Sequence, residues 1–193
     1  MLSTLLGPVA RRWALRVGRS LHRYGVSPNA LTVSGFLLSA FVAWVLSGGN
    51  YLAGGLLTLF AGSFDMLDGA VARAGNRVSV FGGFLDSTLD RYSEAVLLLG
   101  LVVHFLRTGN DTAVVLTYLT IIGSLMISYT RARSEAAGLK NESGLLARPE
   151  RVVLLGVLLV LGAPVIALWI LAVLTNFTAA QRVYHVYKAT GVS

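Results

Sequence analysis

Four aspartates lie at helical spacing inside a strongly apolar sequence. Asp65 and Asp68 stand close together, and Asp86 and Asp90 follow after a short gap. Residues three or four apart share a helix face, and a short connection makes two helices antiparallel neighbours. Four converging carboxylates need a positive partner. Mg²⁺ and Mn²⁺ prefer oxygen ligands and bridge carboxylates to substrate phosphates. The spacing therefore predicts a divalent-metal site that acts on phosphate groups.

Other residue types narrow the choice of metal and leave one alternative. The chain has no cysteine and only three scattered histidines, so a zinc site is not expected. The alternative is a structural ion-pair cluster in which the aspartates pair with Arg73, Arg77 or Arg91. We favour the metal site because four acids interleaved with small residues are more than helix packing needs. Gly69 and Gly82 would keep the helix faces bare beside the metals.

Composition indicates a multi-pass α-helical membrane protein with one domain. The 193 residues are 55% hydrophobic and 13% charged, with a mean hydropathy of +0.71. Uncharged blocks at 31–47, 112–130 and 152–181 approach or exceed the roughly 20 residues that cross a bilayer. In so apolar a chain, the net charge of +7 favours cytoplasmic loops, anionic lipid and a phosphorylated substrate over nucleic acid.

The predicted fold class is an all-α integral membrane protein. An amphipathic interfacial helix within residues 1–26, rich in arginine on one side, precedes a six-span domain over residues 27–193. The predicted spans are 30–47, 51–73, 80–106, 112–137, 147–161 and 165–187. Basic residues collect on one side of this alternation. The positive-inside rule therefore places both termini and the aspartates on the cytoplasmic side.

Span length places the acids within the membrane. The second span is uncharged only over residues 51–64. The third span carries Glu94 one turn after Asp90 and is uncharged only from there to Arg107. Neither uncharged stretch alone crosses about 30 Å at about 1.5 Å per residue. The charged ends must therefore enter the cytoplasmic half and face a polar cavity. Intramembrane acids also occur in cation-coupled transporters, but here the outer halves of the spans carry no matching polar path.

The complete acidic pattern resembles a family signature. It reads Asp65-x-x-Asp68-Gly69-x-x-Ala72-Arg73, eight residues, then Gly82-x-x-x-Asp86-x-x-x-Asp90. By this pattern the chain is identified as a member of the CDP-alcohol phosphatidyltransferases, which move a phosphatidyl group from CDP-diacylglycerol, or a similar CDP-lipid, to an alcohol and release CMP. The resemblance implies a homodimer with two Mg²⁺ or Mn²⁺ ions on Asp65, Asp68 and Asp86, and Asp90 on or beside them as general base. It implies a CDP-lipid site formed by Asn29, Thr32, Asp68, Gly69, Ala72, Arg73 and Gly82.

A second group of residues bears on the acceptor alcohol. Several arginines lie at the cytoplasmic ends of the fourth, fifth and sixth spans, and guanidinium groups bind phosphate through paired hydrogen bonds. The run from Ser128 to Gly138 resembles the phosphatidylinositol phosphate synthase branch, including its archaeal ether-lipid relatives, which implies inositol phosphate as acceptor. Glycerol 3-phosphate is the alternative acceptor, and the arginines could instead fix topology and bind anionic lipid. The candidate phosphate-binding residues are Arg131, Arg133, Arg148, Arg151 and Arg182.

Overall fold

The regular secondary structure of the described residues is α-helical. A computed structural model describes residues 15–21, 23–75, 78–139, 144 and 146–191, except the side chains of residues 65 and 66. Each predicted span corresponds to a helix whose ends lie within two residues of the prediction. The helices are α1 (Pro28–Ser47), α2 (Tyr51–Ala74), α3 (Val80–Thr108), α4 (Asp111–Ala136), α5 (Arg148–Val160) and α6 (Pro164–Ala189).

Local sequence signals explain where these helices begin and end. Pro28 opens α1 directly after the extended residue Ser27, where a proline loses no helical hydrogen bond. Asn50 and Asn110 cap α2 and α4, each accepting a backbone hydrogen bond at 3.1 Å. The turns after α1, α3 and α5 contain glycines with φ of 80°, 68° and 70°, a conformation that glycine adopts without strain.

The six helices form a closed ring. Within the described residues, the principal packing pairs run in the order α1, α3, α4, α6, α5, α2 and back to α1. The crossing of α2 and α5 is close, since a methyl group on Gly55 would lie 2.7 Å from the Gly156 carbonyl oxygen. Such small residues let membrane helices approach backbone to backbone. The ring brings the beginnings of α1, α3 and α5 to the end of the bundle where α2, α4 and α6 finish.

The segment before α1 packs against the aspartate-bearing helix. Residues 15–21 are helical, and Leu15 and Val17 pack on Leu67 and Ala70 of α2. Residues 1–14 and 22 lie outside the described residues, so the division of the chain at residue 26 and the amphipathic character of the first helix stay predictions.

The lengths and surfaces of the helices suit a bilayer. Among the described residues, α1, α2, α4 and α6 are long and apolar enough to cross a membrane. Large side chains such as Phe41, Trp44, Trp169 and Phe177 are exposed on the outside of the bundle. α3 has 29 residues, but its first half carries charge, and the 13 residues of α5 rise only about 20 Å. Crossing of the membrane by α3 and α5 therefore stays a prediction.

Candidate active site

A cavity of about 150 Å³ lies where α1 and α3 begin and α2 approaches its end. We call it the Asp68 cavity. Side chains from three helices meet here because the α2–α3 connection is short and the first turns of α1 and α3 lie side by side. The cavity is lined by all seven residues predicted for the CDP-lipid site, Asn29, Thr32, Asp68, Gly69, Ala72, Arg73 and Gly82, and also by Ser79 and Asp86.

The carboxylate of Asp68 is fixed by short contacts. It is 6% exposed, its Oδ2 lies 2.9 Å from the Thr32 hydroxyl, and its Oδ1 accepts the Gly69 backbone N–H at 2.5 Å. The Thr32 hydroxyl also lies 3.2 Å from the Pro28 carbonyl. The first turn of α1 thus holds Asp68 in one orientation. Asn29 and Thr32 therefore line the same cavity as residues of α2 and α3 that are far away along the chain.

Glycine keeps part of the cavity wall free of side chains. A methyl group on Gly82 would lie 3.0 Å from the Ser79 hydroxyl and 3.4 Å from Asn29 Oδ1. The Ser79 hydroxyl accepts the Gly82 N–H at 3.0 Å and so caps α3 at this point. A side chain at position 82 would therefore reduce the space between α1 and α3, as the sequence interpretation requires.

The donor set of the Asp68 cavity suits a hard divalent cation. Asp68 and Asp86 supply carboxylate oxygens, and Asn29, Thr32 and Ser79 supply neutral oxygens. The side chain of Asp65 lies outside the described residues. Among the side chains that are described, no three His, Cys, Asp or Glu residues are close enough together to hold a metal ion. The predicted convergence of four carboxylates therefore stays a prediction, while the chemistry of the donors fits it.

Asp90 contacts the arginine side of the site. Its Oδ1 lies 2.7 Å from Arg148 Nη1, and both side chains are largely buried. Arg148 Nη2 also lies 3.5 Å from the Asp90 carbonyl oxygen. Sequence reasoning placed Arg148 among the residues that bind the acceptor phosphate. In the structure it contacts the predicted general base.

A second acid–base pair joins the same two helices. Glu94 and Arg151 form a bidentate ion pair in which Nε and Nη2 donate to the two carboxylate oxygens at 2.7 Å each. The Arg151 side chain is 3% exposed and the Glu94 side chain 16% exposed. The sequence predicts that Glu94 lies in the cytoplasmic half of the membrane and faces a polar cavity, but it names no partner for this carboxylate. Two spacings in the sequence could have indicated this pair. Glu94 follows Asp90 by four residues and Arg151 follows Arg148 by three, so the two acids share one helix face and the two arginines share another.

The remaining candidate arginines divide into buried and exposed groups. Arg182 is 6% exposed and donates to the Ile127 carbonyl at 2.5 Å, and Arg131 and Arg151 lie within its electrostatic reach. Arg131 pairs with Glu135 at 2.8 Å with about half of each side chain exposed. Arg133 is exposed in the last turn of α4. We call Arg131, Arg148, Arg151 and Arg182 the arginine cluster.

The ion pair described for Asp90 involves Arg148 of α5, which is not one of the arginines of the structural alternative. Arg91, which is one of those arginines, donates to the Ser87 carbonyl of its own helix. Arg77 lies outside the described residues. Asp90 and Glu94 of α3 instead form ion pairs with Arg148 and Arg151 of α5.

Residues 25–180 match the family described as CDP-alcohol phosphatidyltransferase. The chain belongs to this family. It is therefore a phosphatidyltransferase of phospholipid biosynthesis and a multi-pass membrane protein. This assignment excludes the transporter alternative.

Named relatives extend the similarity to nearly the whole chain. The archaetidylinositol phosphate synthase of Pyrococcus horikoshii is 38% identical over 174 residues, which cover 90% of each chain. The phosphatidylinositol phosphate synthase of Mycobacteroides abscessus is 38% identical over 181 residues, covering 89% of this chain and 82% of the relative.

Solved structures of a third relative share the fold. The phosphatidylinositol phosphate synthase of Mycobacterium tuberculosis with CDP-DAG bound has a TM-score of 0.82 and 32% identity, covering 90% of this chain and 92% of that chain. The same enzyme in complex with manganese and citrate also has a TM-score of 0.82, with 31% identity and coverage of 90% and 88%.

Proposed function

We propose that this phosphatidyltransferase joins CDP-diacylglycerol to inositol phosphate and forms phosphatidylinositol phosphate and CMP. The observation that carries this acceptor is the burial of Arg151 and Arg182 within electrostatic reach of each other, with Arg148 lining the same cavity as Arg151. Buried guanidinium groups are costly in a membrane bundle, and their convergence suits a dianionic phosphate. The relatives named above, all inositol phosphate lipid synthases, support the same acceptor.

The Asp68 cavity would bind the CDP-lipid. Asn29, Thr32, Ala72 and Arg73 surround the nucleotide in this proposal, while the bare Gly69 and Gly82 admit it close to the backbone. Asp65, Asp68 and Asp86, with Asp90 on or beside them, would hold two Mg²⁺ or Mn²⁺ ions. Bound metal supplies charge neutralisation for the diphosphate and the departing CMP.

The reaction proposed for Asp90 is general-base catalysis. The acceptor hydroxyl gives its proton to the Asp90 carboxylate while its oxygen bonds to the lipid-side phosphorus. The bond from that phosphorus to the bridging oxygen breaks, and CMP leaves with the electron pair. Arg148, 2.7 Å from Asp90, keeps the carboxylate oriented toward the arginine cluster. Positioning of the two substrates supplies much of the remaining rate.

The acceptor is tested by turnover of purified protein. Incubation with CDP-diacylglycerol, Mg²⁺ and labelled inositol phosphate should yield labelled phosphatidylinositol phosphate and one CMP per lipid. The matched reaction with glycerol 3-phosphate should be slower by at least about tenfold, the discrimination expected of a pocket shaped for one acceptor. Turnover on glycerol 3-phosphate alone would assign the chain to phosphatidylglycerophosphate synthesis.

Topology and assembly complete the proposal. Six crossings would leave both termini and the active site facing the cytoplasm, and two copies would form a homodimer. Because the chain has no cysteine, single cysteines report sidedness directly. In intact cells a membrane-impermeant maleimide should label Ser47→Cys and leave Ser193→Cys unlabelled until lysis. The reverse labelling pattern would overturn the proposed orientation. Light scattering of the detergent-solubilised protein measures its mass, and the proposed homodimer should have the mass of two chains.

A further inference from the structure

We infer that Glu94 is a positioning residue for the acceptor phosphate, acting through Arg151. This inference rests on the proposed function of the arginine cluster. Glu94 lies outside the aspartate signature and, in the proposal above, touches neither substrate. Its carboxylate nevertheless determines how the most buried arginine of the site is oriented.

The hydrogen bonds of Arg151 define that orientation. A guanidinium group has five N–H bonds. Nε and one N–H of Nη2 bind Glu94 at 2.7 Å each, and one N–H of Nη1 donates to the Leu146 carbonyl at 3.3 Å. After these three bonds, one N–H remains on each terminal nitrogen. Two neighbouring N–H groups match two oxygens of a phosphate.

Burial and hydrogen bonding restrict the movement of Arg151. A cavity of about 40 Å³ beside the pair is lined by Arg148, Arg151 and Glu94 and by the hydroxyl residues Ser39, Thr58, Ser93 and Thr120. The three bonds leave Arg151 little freedom to rotate within the bundle. The pair also ties α3 to α5, 57 residues apart in the chain. A guanidinium held on one edge by Glu94 would present its other edge without reorganisation when phosphate arrives, which strengthens binding.

The charge balance of the site supports the same role. Arg131 and Arg151 each lie within electrostatic reach of Arg182, and Arg148 forms an ion pair with Asp90. Without Glu94, the buried positive charge of Arg151 would lack its partner, and its repulsion from Arg182 would favour a displaced side chain. Glu94 therefore permits two buried arginines to share one small region.

The test compares two glutamates that each pair with an arginine of the cluster. Glu94→Gln removes the buried carboxylate, and Glu135→Gln is the matched control, because Glu135 forms an exposed pair with Arg131. The first readout is protection of the purified protein against thermal unfolding by inorganic phosphate. We expect Glu94→Gln to need at least about tenfold more phosphate than wild type. Glu135→Gln should need less than about twofold more.

The second readout separates positioning from general stability. In the synthase assay Glu94→Gln should raise KM for inositol phosphate at least about tenfold, with KM for CDP-diacylglycerol unchanged. Glu94→Asp keeps the charge but shortens the side chain, so it should give an intermediate value. This variant also decides the question if Glu94→Gln does not fold.

Two results would overturn the inference. One is an unchanged phosphate dependence of thermal protection in the folded variant. The other is a parallel rise of both KM values, as a merely structural ion pair predicts. If wild type consumes glycerol 3-phosphate instead of inositol phosphate, the proposed acceptor is wrong. The phosphate-protection measurement still decides the role of Glu94.

Discussion

The Asp68 cavity and the arginine cluster are constructed in opposite ways. The cavity is formed mainly by short side chains and glycines of α1, α2 and α3. Its Asp68 carboxylate is held by a hydroxyl at 2.9 Å and a backbone N–H at 2.5 Å. The cluster uses long side chains from α4, α5 and α6, held by buried ion pairs such as Glu94–Arg151 at 2.7 Å. The first arrangement leaves room for a ligand, and the second concentrates charge. In the proposed function each region binds a different substrate, so the two should respond separately to mutation.

Removal of divalent metal is expected to have the largest effect and to separate the two regions most clearly. With excess chelator, turnover should fall to background and return with Mg²⁺ or Mn²⁺, because the diphosphate cannot be neutralised otherwise. Thermal protection by CMP should be lost as well, while protection by inorganic phosphate persists. Turnover at an undiminished rate in excess chelator would contradict the metal assignment.

Asp90→Asn removes the proposed general base, which pairs with Arg148 of the arginine cluster. Loss of the general base is expected to lower turnover by about 10²–10⁴-fold. Binding of CDP-diacylglycerol should stay within a few-fold of wild type. Asp111→Asn, in the first turn of α4, is the matched control and should retain full turnover. Near-normal turnover of Asp90→Asn would show that the base is another group.

Arg182→Gln should weaken only the arginine cluster. Because Arg182 is buried and lies near Arg131 and Arg151, its loss should raise KM for the acceptor at least about tenfold. KM for CDP-diacylglycerol should not change. Arg107→Gln, at the end of α3, removes the same charge at the other end of the bundle and should alter neither constant. A rise in both KM values for Arg182→Gln would argue that the two regions are not separate.

Gly82→Ala should have the smallest effect, and only in the Asp68 cavity. The added methyl group lies 3.0 Å from the Ser79 hydroxyl, so the side chains must shift and the space for the CDP-lipid decreases. We expect KM for CDP-diacylglycerol to rise a few-fold, with an unchanged KM for the acceptor. Gly35→Ala is the control, because its methyl group would make an ordinary contact of 3.6 Å with Phe64. Equal effects of the two substitutions would point to general helix packing.

Much of this architecture follows from local sequence. The ends of the helices were predicted within two residues because Pro28, Asn50, Asn110 and the turn glycines act over a few positions. The lining residues of the Asp68 cavity were predicted from the family resemblance. The signature marks those on α2 and α3, whereas Asn29 and Thr32 lie outside it on α1.

The contacts of the arginine cluster were harder to predict. Arg148–Asp90 and Arg151–Glu94 join residues 58 and 57 positions apart, and helical periodicity describes only one helix at a time. The closed ring order, in which α2 meets α5 and α4 meets α6, is a property of the whole bundle. The sequence could indicate that Arg151 would seek an anion. It could not distinguish a substrate phosphate from the carboxylate of Glu94.

The distance between Glu94 and Arg151 along the chain also has a consequence for biosynthesis. Arg151 is 57 residues downstream, so at roughly 5–20 residues per second the ribosome needs about 3–11 s to produce it after Glu94. During that interval α3 exists with its carboxylate but without the guanidinium that will neutralise it. α3 is not among the helices of the described chain that are apolar enough to cross a bilayer by composition. In the proposed six-span topology, the stable residence of α3 in the membrane would therefore depend on α5, a helix that has not yet been made, and we expect integration of the third span to be completed only when the fifth emerges.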